Sequence, residues 1–200
     1  DGTIDIYIRG AGPTVGHIFS TAEPFDDEWH HVVFVQNELE RSIYVDGELD
    51  DLEIAAKPES GWDNIDATTI GGILRGNASH WVTGLIDDVA IWTRALSADE
   101  VSGLTSSGIP TAGGGGHPLL VDLVAHFPLD EDGNSTNGEF TAATVTDVEF
   151  GADGATGNTG TSATFNGSSS IIQHDWVAGL NPEDSFTLSV WAKSDGGAGA

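Results

Sequence analysis

Apolar residues in this chain come in short alternating runs, and glycine, asparagine and aspartate interrupt almost every one of them. Residues 3–9 place Ile4, Ile6 and Ile8 on one face and Asp5, Tyr7 and Arg9 on the other, which is the period of a half-buried strand. Runs at 31–35 and 41–45 follow, the second ending in Asp46-Gly47, a tight-turn dipeptide. Further strands are predicted at 67–70, 84–92, 123–127, 161–165, 170–174 and 185–192. Many short strands with frequent turn signals point to an all-β fold, an antiparallel two-sheet β-sandwich, rather than βαβ units.

One short helix is expected near 97–105. Ser97-Ala98-Asp99-Glu100 is a capping box, in which Ser97 caps the first turn and Glu100 reaches back to the cap amide. The helix should then end near Ser106 to Gly108. Residues 108–118 have the composition of a linker, with glycines between two prolines. They divide the chain into 1–107 and 119–200, and neither part has enough strands to close two sheets comfortably.

Charge narrows the choice of partners. Thirty-two acidic residues face six basic ones, a formal charge of −26. Such a surface repels nucleic-acid phosphates and anionic membranes, so neither is an expected partner. It fits a high-salt or marine habitat, calcium-binding clusters, or plain solubilisation. No run approaches the ~20 apolar residues of a membrane span, so no membrane insertion is expected. The absence of cysteine excludes disulfides and thiol chemistry, and leads to the expectation of a prokaryotic extracellular protein. With neither an initiator Met nor a signal peptide at Asp1, the chain reads as a mature or excised piece of something longer.

A family resemblance enters through the strand motifs. Glu28-Trp29-His30-His31-Val32, followed by Ile43-Tyr44-Val45-Asp46-Gly47, resembles the W-x-H-V … Y-V-D-G hairpin of laminin-G-like, concanavalin-like jelly-roll domains. Ile70-Gly71-Gly72, then 83–92, then Arg94-Ala95-Leu96-Ser97 with Glu100 resemble the closing motifs of the same family. The second part resembles the family's opening. Val124 to Asp130 is similar to its first strand, Phe165-Asn166-Gly167 to its turn, and 186–192 to its f-T-l-s-v-W segment. The family order is therefore rotated, with the C-terminal part of a domain at 1–107 and the N-terminal part at 119–200. The two parts either complete one domain by permutation or belong to neighbouring copies, and strand exchange between copies would build a filament.

The carboxylate pattern points to a non-catalytic module. Some sandwich relatives hydrolyse glycans with carboxylates at alternate strand positions, about 6–7 Å apart. Residues 5–7 and 86–89 lack that pattern, and the adjacent Asp87 and Asp88 are expected on opposite faces. Calcium is the expected cofactor. The loop at 130–135 is rich in hard oxygens, and by resemblance Asp130, Asp132, Asn134 and Asp88 are the candidate metal ligands, the alternative being a solvated acidic turn. The seven histidines show no zinc spacing. Trp29, Trp92 and Trp191 fall in strand motifs and are expected in the core. Trp62, Trp81 and Trp176 lie in polar contexts and are the candidate ligand-binding residues, either stacking a sugar ring or anchoring loops. Asn77, Asn134 and Asn166 begin glycosylation triplets, which chance also supplies.

The expected function is a secreted or cell-surface binding or adhesion module, recognising a glycan or a neighbouring protein module. The alternatives are a subunit of an extracellular filament or repeat array assembled by strand completion, and an accessory domain of a secreted glycan-degrading enzyme.

Overall fold

A computed structural model describes residues 2–9, 15–54, 67–110, 116–136, 138–180 and 184–194. The strands run β1 (Asp5–Arg9), β2 (Val15–Phe19), β3 (Trp29–Gln36), β4 (Glu40–Val45), β5 (Glu48–Ile54), β6 (Ala67–Ile70), β7 (Ile73–Arg75), β8 (Asn77–Ser79) and β9 (Thr83–Trp92). Helix α1 (Ala98–Ser107) follows, then β10 (Leu123–Phe127), β11 (Thr144–Thr146), β12 (Glu149–Asp153), β13 (Thr161–Asn166), β14 (Ile171–Asp175) and β15 (Phe186–Lys193). Among the described residues the fold is β-strands with one α-helix, as the alternation and the capping box predict. The capping box forms in full, with Ser97 accepting from the Glu100 amide, and Gly108 ends the helix at φ 71°.

The largest sheet has the order β12-β13-β9-β15-β3-β4-β5, with β10 also paired to β9. Strand β15, from the end of the chain, therefore lies between β3 and β9. It pairs antiparallel with both, Trp191 opposite His31 on one side and Asp87 on the other. A smaller sheet, β11-β14-β6, also joins strands from both parts of the chain.

Alternation along β9 sends side chains to two cores. Val89 and Ile91 join Phe127, Leu129, Phe165 and Ile172 in one buried cluster. Ala90 and Trp92 join Val33, Val35 and the helix residues Val101 and Leu104 in another. Trp92 is fully buried, and its indole N–H donates to the Leu119 carbonyl at 2.8 Å, tying the chain after the glycine-rich stretch back onto β9. A third cluster sits beneath the β1–β2 hairpin, with Ile8 and Ile18 against Phe34 and Ile43.

Strands β2, β5, β7, β8, β11 and β12 were not expected from the sequence. Two of them, β5 (ELDDLEI) and β12 (EFGAD), close the ends of the largest sheet. Edge strands pair on one side only, and charged residues there discourage pairing with another chain. Their carboxylates thus hide the strand signal while serving the edge.

Candidate functional site

The site grows from an irregularity in β9. Strand β13 pairs with Thr83–Ile86 and β10 pairs with Val89–Trp92, so the handover falls at Asp87 and Asp88. On the other side of β9, Asp88 and Val89 together face the single residue Val190 of β15. This is a β-bulge, and Asp88 takes φ 48° within it. The strict alternation expected for Asp87 and Asp88 is therefore interrupted, and both side chains are buried.

Asp87 is completely sealed from solvent. Its Oδ2 accepts from the Ala155 amide at 2.9 Å, while Oδ1 is buried with no hydrogen-bond partner among the described residues. Burial pushes the carboxyl up to about 6. The Ala155 amide and the Thr159 hydroxyl oppose that rise, and the charges of Asp88 and Asp130 add to it. A carboxylate with an unpaired, desolvated oxygen beside a second carboxylate is unfavourable by itself.

Asp130 arrives just after β10, following Leu129 at φ 60°. Its carboxylate accepts from the Thr161 amide and hydroxyl, which joins it to the start of β13. Gly160 makes this approach possible. A Cβ there would come 2.3 Å from Asp130 Oδ1, and its φ is 74°. Asp130, Glu131, Asp132, Asn134, Gly160 and Thr161 line an open cleft of about 500 Å³.

The structure thus brings Asp130, Asp132 and Asn134 into one cleft. Asp132 and Asn134 are tied to each other, the Asn134 amide donating to Asp132 Oδ1 at 2.8 Å, and Asn134 Oδ1 also accepts from the Ala142 amide at 2.9 Å. Asp88 is engaged elsewhere, its Oδ1 2.6 Å from His126 Nε2. Asp87, the neighbour of Asp88 on β9, is the buried carboxylate that feels the charge of Asp130. Its signal was the Asp-Asp pair itself, but the burial of both carboxylates depends on the bulge.

A hard cation fits this arrangement, because Asp87 Oδ1 is an orphaned buried oxygen beside a second carboxylate. Among the described residues no three His, Asp or Glu side chains gather as a metal-binding group. An ion held by Asp87 and Asp130 would complete its shell from carbonyl, amide and water oxygens, the donor mixture that calcium accepts.

The candidate tryptophans separate. Trp62 lies outside the described residues. Trp81 is half-buried over Gly72, where an added Cβ would fall 2.8 Å from its ring, so it anchors a loop. Trp176 is 47% exposed beside Val177. A further aromatic strip lies on the β1–β2 hairpin. The rings of Tyr7 and His17 are 4.8 Å apart and those of His17 and Phe19 5.7 Å apart, with Asp5 bonded to His17 Nδ1 at 2.9 Å. Tyr7 is on the polar face of its strand, and β2 supplies the two rings beside it.

Comparison with known proteins places these elements. The laminin-G family described as the concanavalin A-like lectin/glucanases superfamily matches residues 1–102. The human adhesion G-protein coupled receptor D1 is 28% identical over 120 residues, which is 60% of this chain and 13% of the receptor. The chain thus spans about an eighth of that relative's length. The relative is human, which does not support the prokaryotic origin expected from the lack of cysteine. No solved structure matches the chain significantly. Among the described residues no helix is long and apolar enough to cross a membrane.

Proposed function

The chain belongs to the concanavalin A-like lectin/glucanase superfamily, and from that premise we propose that it is a non-catalytic extracellular binding module, stiffened by calcium at Asp87 and Asp130. The observation that carries the calcium reading is the unpaired, fully buried Oδ1 of Asp87, whose carboxyl also feels the charges of Asp88 and Asp130. Bound calcium would offset those charges and join the β9 bulge, the loop after β10 and the start of β13. The ligand is a glycan or a neighbouring protein module. Its candidate contacts are the cleft rim, the exposed Trp176 and the hairpin strip of Tyr7, His17 and Phe19. The adhesion receptor among its relatives supports a binding role at a cell surface.

Two features favour binding over hydrolysis. Asp87 is sealed from solvent, whereas a hydrolytic carboxylate pair must flank a substrate bond. Asp88, the other buried carboxylate on β9, is bonded to His126. The pairing of β15 on both sides within one chain favours a module over a filament built by strand exchange.

Thermal melts in calcium and in chelator test the cation, since a ligand that binds only the folded form raises the midpoint. The wild type should melt higher in calcium. Asp87→Asn should reverse the order in chelator, melting above the wild type because the buried charge is gone, and should lose the calcium response. An unchanged wild-type midpoint sinks the calcium reading. Glycan-array binding with and without calcium tests the recognition reading.

A further inference from the structure

A second cavity, of about 210 Å³, lies between β6 and β14 of the smaller sheet and β9, β10 and β15 of the larger one. Its walls are mostly apolar, formed by Val89, Ile91, Phe127, Leu180, Phe186 and Leu188. Protein interiors are close-packed, and voids larger than a water molecule are few. An apolar cavity of about 150 Å³ accepts benzene, so this one has room for a single ring and a small substituent.

His174 on β14 forms part of the wall. It is 2% exposed, and neither ring nitrogen has a hydrogen-bond partner among the described residues. The neighbouring threonines do not share this condition. Thr69 donates to the Gly72 carbonyl at 2.6 Å, and Thr68 is also engaged. Phe127 packs on the imidazole with ring centroids 4.7 Å apart, which fixes its orientation. Burial lowers the pKa of His174, with the Thr141 backbone acting the other way. The imidazole is therefore neutral and offers one N–H donor and one bare nitrogen acceptor. A buried polar group left unpaired is costly, and a ligand that pairs it recovers that cost.

We propose that this cavity binds a small neutral ligand, a single aromatic or alicyclic ring carrying one hydroxyl, with the hydroxyl on His174 and the ring against Phe127, Ile91 and Leu188. A hydroxyl suits the site because it can donate to one imidazole nitrogen or accept from the other. Charged ligands are excluded, since no Lys, Arg, Asp or Glu lines the cavity to compensate a desolvated ion. The site shares no lining residue with the cleft at Asp130 and does not depend on calcium.

Titration of the calcium-loaded chain with 4-fluorophenol and with fluorobenzene, followed by ¹⁹F line broadening, tests this. Both probes should bind, 4-fluorophenol about tenfold more tightly, the worth of one hydrogen bond made in a dry site. His174→Leu should keep fluorobenzene binding and abolish the preference for the hydroxyl. Ile91→Phe, which fills the cavity, should weaken both probes. No broadening with either probe on the folded wild type overturns the proposal, as does equal affinity for the two. A preference that survives in His174→Leu overturns the role of the imidazole.

Discussion

His31 and Ser189 stand 158 residues apart in the chain, yet Nε2 of one lies 2.8 Å from Oγ of the other. On its far side His31 Nδ1 meets the Thr105 hydroxyl at 2.6 Å, and that hydroxyl donates to the Val101 carbonyl. The proton positions follow. Nδ1–H donates to Thr105, and Nε2 accepts from Ser189, so a neutral imidazole bridges α1 to β15 across β3. The Trp191 ring stacks on it at 4.8 Å.

This bridge predicts acid sensitivity. Burial lowers the His31 pKa from 6.5 to about 4. Between those values the unfolded chain takes up a proton that the folded chain refuses, so stability falls as pH drops from 6.5 toward 4. The loss is on the order of 3 kcal/mol at most. Urea midpoints for wild type and His31→Gln should converge over that interval, because only the wild type loses this contribution. Parallel curves would remove His31 as the cause.

The join between the two parts of the chain should be sensitive at Gly84. Its φ is 130°, and a Cβ there would lie 2.1 Å from the Lys193 carbonyl oxygen. Gly84→Ala should cost more than about 2 kcal/mol, through backbone strain and loss of β9–β15 pairing. Gly103, on α1, has open space around it, so Gly103→Ala should stabilise by roughly 0.5–1 kcal/mol. Urea denaturation of the two variants should show opposite signs.

Ser97→Ala should cost about 1 kcal/mol, the usual worth of a cap, whereas Ser97→Gly should cost only a few tenths. Glu100 closes the same box, and its paired bonds to Arg94 lead the interactions that hold its pKa near 2. A depressed folded-state pKa means this contribution is present above pH 4.5 and lost as pH falls toward 2. Denaturation of Glu100→Gln across that range should give a shallower pH slope than the wild type.

The chain should be a monomer. Strand β15 is paired on both sides, and the sheet ends at the acidic strands β5 and β12. Light scattering on the eluted peak should give 20.8 kDa. A mass that climbs with concentration would instead favour strand exchange between copies.

Much of the local structure was legible in the residues. Alternation marked β1, β6, β9, β10 and β15 to within a few positions, and Ser97 with Glu100 marked the start of the helix. The strands that were missed are short or acidic, and β5 and β12 carry their charge because they are edges. Of the candidate site, the loop containing Asp130, Asp132 and Asn134 could be read from its oxygen-rich composition. Asp87 could not, because its burial depends on the bulge opposite Val190 and on β13 giving way to β10 beside it.

The all-β class, the capped helix and the family could be read from near neighbours alone, because pleat alternation, capping and turn chemistry depend only on them. Folding in three dimensions set β15 between β3 and β9, buried Asp87 with one oxygen unpaired, and held His174 against apolar side chains with no hydrogen-bond partner among the described residues. Pairing, burial and desolvation depend on residues far apart in the chain, and no short window of sequence contains both members of such a contact.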